Sequence, residues 1–426
     1  MSEGFLFQSF LQAGFECSTH KRRTGERLDL LRSTEHERLL RSDFHLLRPF
    51  GLRTIRTGAR WHVIEYAPGE YDFRTLRELL EAAADYELQV LLDLFHFGWP
   101  DFLDVFSPAF VSSFAGFTHA FAKFLKTAPQ AFTMIAPVNE ISFLSWAGGD
   151  KGSVNPYARG RSAELKRQLV RAAAVSSEIL LNELPGIRLI SPEPVIHIVG
   201  NPLIPGDDIE AEKYRLAQFQ AWDMLSGRLE PELGGRPEYL DVIGANFYDR
   251  NEWEHLAESP LPRTDPRYRP FHQILQEVWD RYRRPMFVSE TGTEADARAE
   301  WFSYICDEVS TAIDLGVPVE GICLYPILNH PGWEDDRHCH NGLFDYADCD
   351  GKRSVHWPLA HEIIKQQRRF ARRDEGKYAT TNSSRSDLPL ASALGFRFPK
   401  ASTSDEPVCK GSAGVLRGRT SLRGED

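Results

Sequence analysis

The chain has 426 residues, 42% of them hydrophobic and 26% charged, with a formal net charge of −11. That length can bury a large core. The acidic balance argues against nucleic acid or an anionic membrane surface as the main partner, and it disfavours a phosphorylated substrate.

Aromatic residues make up 12% of the chain, a content that suits a cleft gripping apolar ring faces. Cys17, Cys306, Cys323, Cys339, Cys349 and Cys409 are sparse and irregularly spaced. A disulfide framework is therefore not expected, and a reducing compartment is. Residues 1–15 show no basic start, long apolar core or small-residue cleavage site. No uninterrupted apolar run reaches the roughly 18 residues of a membrane span. These features point to a soluble cytoplasmic protein. Nothing in the sequence specifies an oligomeric state.

Strand-like and helix-like stretches alternate from the start to about residue 370. Phe10 to Ser18 reads as a first strand. A helix follows, with Thr34-Glu-His-Glu37 as a capping box and Leu39, Leu40, Phe44 and Leu47 inward. Arg53 to Trp61 is the second strand, and Thr75-Leu-Arg-Glu78 caps the next helix. Gln89 to Phe97 is nearly all apolar, as in a parallel sheet buried on both faces. Its helix carries Phe110, Phe114, Phe117, Phe121 and Phe124 at steps of four and three, a stripe that amphipathicity assigns to the core. Ala131 to Glu140 is the fourth strand, with its helix over Ser162 to Glu183. The remaining strands are Arg188 to Val195, Tyr239 to Tyr248, Pro285 to Glu290 and Val319 to Leu328. Their helices run over Ala211 to Leu225, Phe271 to Tyr282, Ala297 to Leu315 and Leu359 to Phe370.

Eight strand-then-helix units in series predict an α/β fold, a (β/α)₈ TIM barrel over residues 1–370. A doubly wound open sheet ranks lower, because no Gly-rich phosphate loop follows the first strand. Residues 371–426 lose periodicity and are dominated by Ser, Thr, Arg, Gly and Pro. They read as a disordered tail without chemistry.

Two apolar runs end in glutamate: Met134-Ile-Ala-Pro-Val-Asn-Glu140 and Pro285-Met-Phe-Val-Ser-Glu290. In a barrel every strand aims its C-terminal end at one face, so Glu140 and Glu290 are expected to share a rim. Two carboxyl groups facing one sugar are what cleavage of an acetal needs.

At these residues the sequence resembles clan A of the glycoside hydrolases, which places Asn-Glu after strand four and Glu after strand seven. It looks most like family 1, the β-glucosidases and β-galactosidases. Arg56-Thr-Gly-Ala-Arg-Trp61 resembles that family's Arg-Phe-Ser-x-Ser-Trp, and Phe95-His-Phe-Gly-Trp-Pro100 its Tyr-His-Trp-Asp-x-Pro. Asp241-Val-Ile-Gly-Ala-Asn-Phe-Tyr248 resembles Asp-Phe-x-Gly-x-Asn-Tyr-Tyr, and Ser289-Glu-Thr-Gly292 resembles Thr-Glu-Asn-Gly. Tyr325 to Trp333, with Asn341-Gly-Leu343, resembles the eighth-strand segment.

The resemblance implies a cofactor-free retaining β-glycosidase acting on β-linked glucosides, galactosides or short oligosaccharides. It implies Glu140 as acid/base and Glu290 as nucleophile, with carboxyl groups about 5–5.5 Å apart. Arg56 and Tyr248 match the nucleophile's partners, and Asn139 the residue gripping the sugar 2-hydroxyl. His96 and Trp99 match the region that binds outer hydroxyls, and Trp333 an indole lining the pocket. Tyr325 stands where the family has Trp, and Gly332 where it has a sugar-binding Glu. Glu16 lies where the family has a Gln in a different pattern. Arg60 competes with Arg56 as a same-facing strand residue.

Two alternatives to an exo-acting glycosidase are an endo-acting β-glucanase or β-mannanase of the same clan and a non-catalytic carbohydrate-binding barrel. The cluster Asp335-Asp-Arg-His-Cys-His340 fits no standard zinc spacing and reads as a polar loop, so no metal is expected.

Overall fold

The computed structural model describes residues 6–128 and 132–378. Eight parallel strands close into a barrel in sequence order, each paired with the next and the last with the first. They are β1 (Leu11–Gly14), β2 (Thr54–Gly58), β3 (Gln89–Asp93), β4 (Phe132–Ala136), β5 (Arg188–Pro194), β6 (Val242–Asn246), β7 (Met286–Thr291) and β8 (Val319–Leu324). The helices outside are α1 (His36–Leu47), α2 (Arg74–Asp85), α3 (Ala109–Leu125), α4 (Ser162–Glu183), α5 (Asp207–Leu216, continued by Gln220–Leu225), α6 (Phe271–Tyr282), α7 (Arg298–Asp314) and α8 (Trp357–Tyr378). This is a (β/α)₈ TIM barrel.

The period of two along the strands sorts the core into two compartments. Val90, Leu92, Ile135, Leu189, Ile243, Met286 and Val288 face the helix layer. Leu91, Met134, Ala136, Ile190, Val242 and Phe287 form a separate cluster with Phe7 of the N-terminal segment, which plugs the barrel interior. The phenylalanine stripe of α3 is core: Phe110, Phe114, Phe117 and Phe121 are each at most 1% exposed, and Trp61 packs against the first three.

Both capping boxes fail. A short helix, Leu30–Ser33, precedes α1, with Asp29 accepting from Arg32 N. Thr34 ends it, and its hydroxyl donates back to Leu30 O at 2.7 Å rather than capping α1. Glu35, with φ of 59°, turns the chain into α1. In α2 Thr75 already lies within the helix, and Asp72 accepts from Arg74 N at 3.0 Å. The paired strands are also shorter than their apolar runs. β4 ends at Ala136, so Asn139 and Glu140 follow the strand in a turn.

The last helix continues to Tyr378, into the stretch assigned to the tail; residues 379–426 lie outside the described residues. No helix among the described residues is long and apolar enough to cross a membrane.

Candidate functional site

Arg56 is the centre of the rim. Its position on β2 points it into the barrel above the apolar plug, and it is fully buried. Nε and Nη2 donate to Asp93 on β3 at 3.2 and 2.7 Å. Nη2 also donates to Asn139 Oδ1 at 2.7 Å, and Nη1 to Ser289 O at 3.0 Å and Glu290 Oε1 at 2.7 Å. Every N–H of the guanidinium is thereby used. Burial pushes Asp93 up, but the Arg56 charge, and then the hydrogen bond from His96, bring it below the ordinary carboxylate range.

Glu290 lies within β7, where the register against β6 slips: Val288 pairs with Ala245 and Glu290 with the next residue, Asn246. The extra residue re-aims the carboxylate, a usual service of a bulge beside a site. Its Oε2 accepts from the Tyr248 hydroxyl at 2.8 Å. Burial raises the Glu290 pKa, opposed by the Arg56 charge and the Tyr248 hydroxyl.

Glu140 arrives by a different route. It sits in the left-handed region, φ 47° and ψ 59°, at the start of the short helix Ile141–Trp146. A non-glycine residue there is strained, and such strain gathers at functional sites. Its Oε1 accepts from Asn246 Nδ2 at 2.8 Å. Asn246 is thus hydrogen-bonded to Glu140 through its side chain and is the strand partner of Glu290 through its backbone. Burial, and next the charge of Glu290, hold the Glu140 pKa well above the ordinary range. Glu140 and Glu290 are 8% and 5% exposed, so neither is a surface carboxylate.

The two acids share an environment built to divide one proton unequally. Glu290 has a guanidinium and a phenol to hold its charge; Glu140 has a single neutral amide. These surroundings favour the proton on Glu140 and the charge on Glu290.

His96 completes the floor. Its Nε2 lies 3.2 Å from Asn139 Nδ2, whose Oδ1 is already held by Arg56. The amide therefore turns its Nδ2 toward the ring, and His96 Nδ1 lies 2.9 Å from Asp93 Oδ2. Burial lowers the His96 pKa, but Cys17, Asp93 and Glu16 hold it well above the ordinary imidazole range. Glu16 Oε1 accepts from Ser18 N at 2.9 Å and lies 3.8 Å from His96 Nε2. Tyr325 is 1% exposed. Its ring covers the Arg56 guanidinium at 5.4 Å, runs parallel to His96 at 6.0 Å, and points its hydroxyl at Phe15 O. It is packed into the floor. That position needs Gly14: a Cβ there would sit 2.0 Å from the Tyr325 ring.

Trp99 is not brought to the carboxylates. Its ring stacks on Phe95 and meets Phe110 of α3 edge-on, and its indole donates to Leu103 O at 3.1 Å. Phe97, in a left-handed turn at φ 62°, is 2% exposed and packs behind the aromatic side chains of the rim instead. Phe97 packs 5.4 Å from Trp333 and 5.5 Å from Phe143, and Trp146 adjoins Phe143. Trp333 remains half-buried at the end of this aromatic wall. Arg60 does not compete with Arg56: the chain has left the strand at φ 49°, and Arg60 pairs with Asp29 and Glu37.

Asp93, Asn246, Phe97 and Arg22 escaped sequence reasoning. Asp93 ends β3, three residues before His96, and that strand-end carboxylate was the available signal. Arg22 donates to Gly332 O, Trp333 O and Asp335 O, folding the eighth-strand loop around itself. A Cβ at Gly332 would lie 1.9 Å from Asp335 Oδ1, so the Asp335 side chain now fills that space.

Among the described residues one group of metal-type donors converges: Cys17, Asp93 and His96, within 4.8 Å of one another. All three are engaged in the floor, Asp93 by Arg56 and His96 Nδ1 by Asp93 and by Cys17 Sγ at 3.3 Å. Asp335 to His340 form a loop and a hairpin strand, with Arg337 held by Glu294.

No protein-family model and no curated protein matches the sequence. Solved structures do match the fold. A family 1 β-glucosidase from Thermotoga maritima superposes with a TM-score of 0.67 at 14% identity, covering 86% of this chain and 98% of that one. A β-glycosidase from Thermosphaera aggregans gives 0.68 at 15% identity, over 85% and 97%. An enzyme from Alicyclobacillus herbarius designated AHE gives 0.70 at 14%, over 85% and 99%. This chain has the fold of the family 1 β-glucosidases. At such identity the likeness establishes architecture and leaves chemistry to the residues.

Proposed function

We propose that this protein is a retaining β-glycosidase acting on β-linked glucosides, galactosides or short oligosaccharides. The observation that carries this reading is the unequal treatment of two buried carboxyl groups: Arg56 and Tyr248 hold Glu290, while Glu140 has only Asn246 and sits beside a like charge. A non-catalytic sugar-binding barrel has no use for that asymmetry.

In this reading Glu140 protonates the glycosidic oxygen as the bond to the anomeric carbon breaks. Glu290 attacks the anomeric carbon and forms a covalent glycosyl ester. Glu140, now a carboxylate, takes a proton from water as the water displaces Glu290. Arg56 and Tyr248 keep Glu290 ionised and aimed. Asn139, anchored between Arg56 and His96, is assigned to the sugar 2-hydroxyl, with His96 and Glu16 on neighbouring hydroxyls. Phe143 and Trp333, half-buried and backed by Phe97, offer an apolar wall to a ring face.

The test is a panel of aryl β-glycosides with NMR of the first-formed anomer, followed by trapping with a 2-fluoro glycoside. The β-anomer should form first and the label should fall on the peptide containing Glu290. An α-anomer first, or a label elsewhere, removes the assignment. Binding across the panel without turnover would favour the sugar-binding barrel.

A further inference from the structure

Glu193, on β5, is only 2% exposed. A buried carboxylate needs a reason, and its two oxygens show one. Oε1 accepts from Ile141 N at 2.7 Å and Oε2 from Ser142 N at 2.9 Å. The adjacent Pro192 O accepts from Glu140 N at 3.0 Å. Three successive backbone N–H groups, those of residues 140 to 142, are therefore held by two successive residues of β5.

This clamp acts where the backbone is strained. A non-glycine residue in the left-handed region persists only when its surroundings over-determine it. Glu140 is such a residue, and it begins a helix of only six residues, too short to fix its own first turn.

We propose that Glu193 is a positioning residue for Glu140: it locks the turn that carries the acid/base, and its charge biases Glu140 toward keeping its proton. This rests on Glu140 acting as the acid/base.

The charged surroundings support the second role. Lys166 on α4 is the cation acting on Glu193, with its ammonium donating to Gln220 at 2.8 Å. Glu140 itself faces Glu290, Glu193 and His96, with Asn246 as its hydrogen-bond donor. Burial pushes Glu193 up to about 7, against the donors at Ser142 and Ile141 and the charge of Lys166. Glu193 thus gains its charge progressively on the alkaline side of neutrality. There Glu140 is under the greatest pull to ionise, and a neighbouring negative charge opposes it.

The test compares pH profiles of kcat/KM on an aryl β-glycoside for the wild type, Glu193→Gln and Lys166→Met. The alkaline limb reports the acid in the free enzyme. Glu193→Gln removes the charge, so the limb should move down by about half a pH unit or more. Lys166→Met removes the cation that helps Glu193 ionise, so the limb should move the same way by less. A limb that stays in place in both variants, with kcat merely lower at every pH, would make Glu193 a structural residue and overturn the proposal. Should Glu193→Gln not fold, Lys166→Met alone carries the comparison.

A parallel titration of Glu140 by carboxyl ¹³C NMR, its resonance assigned with Glu140→Gln, needs no substrate. A midpoint that falls in Glu193→Gln supports the coupling even if no glycoside is turned over; in that case the acid/base role falls with the proposed function, and only the electrostatic coupling of Glu193 to Glu140 stands. Turnover with an unmoved midpoint overturns this inference and spares the function.

Discussion

The lower and upper halves of the barrel interior are filled by opposite chemistries. Below, Phe7, Leu91, Met134, Ile190 and Phe287 make a dry plug. Each such side chain contributes about 1.5–3 kcal/mol by leaving water, with no demand on direction. Above, Arg56, Asp93, Asn139, Glu290 and His96 make a charged layer of directed bonds on the same strands. Burying those charges costs energy, which their mutual pairing offsets only while every partner stays in place. The plug supplies stability; the charged layer draws on it to hold ionised groups out of water. A rim arranged in this way is suited to chemistry.

The sharpest test of that division is Glu290→Gln. Turnover of an aryl β-glycoside should fall roughly 10⁴-fold or more, while the thermal midpoint changes little, because Gln can still accept from Arg56 or Tyr248 and Arg56 keeps Asp93 as its counter-charge. Retention of turnover within about tenfold would break the assignment of chemistry to the upper layer. Arg56→Met should do harm twice. It abolishes turnover and, by leaving Asp93 and Glu290 buried without their cation, costs about 3–5 kcal/mol in chemical denaturation. Full stability in that variant would show that the layer is not held by Arg56.

Phe287→Ala supplies the contrast. It opens a cavity in the plug and should cost about 3–4 kcal/mol, yet the folded protein should keep most of its turnover. A fall in kcat matching that of Arg56→Met would erase the distinction between the halves.

Smallest is a pH effect on stability. Glu140 has a folded-state pKa raised by burial and then by Glu290. The stability linked to it is complete below the ordinary carboxylate range and is lost as pH climbs through the folded value. Glu140→Gln removes that loss and can still accept from Asn246. It should therefore melt higher than the wild type at about pH 8, with the gain shrinking toward about pH 5. Asp93 runs the other way. Its pKa is lowered, so its contribution persists until strong acid. A Glu140→Gln gain that grows on acidification would contradict the direction assigned to Glu140.

Much of this architecture was legible in one dimension. The period-two and near-period-four apolar patterns gave eight strands, their helices and the meaning of the α3 phenylalanines, because burial imposes those periods locally. Glu140 and Glu290 were singled out by the apolar runs that end in them, and Arg56, Asn139 and Tyr248 by the resemblance of their motifs to family 1. Helix starts were not: Thr34 and Thr75 had capping chemistry, but tertiary turns at Glu35 and Asp72 decided where the helices begin.

The sequence by itself determined the barrel and that its fourth and seventh apolar runs deliver Glu140 and Glu290 to one rim, since those follow from local periodicity and from one rule of strand direction. Only the tertiary structure decided which neighbours each acid meets. Left-handed turns at Phe97, Arg60 and Glu140 redirect side chains that simple alternation would send elsewhere. They put Phe97 rather than Trp99 behind the aromatic wall and take Arg60 away from the rim. Asp93, Asn246 and Glu193 become partners of the rim because the closed barrel brings distant strand ends together. Such contacts depend on φ angles and closure, which no spacing along the chain records.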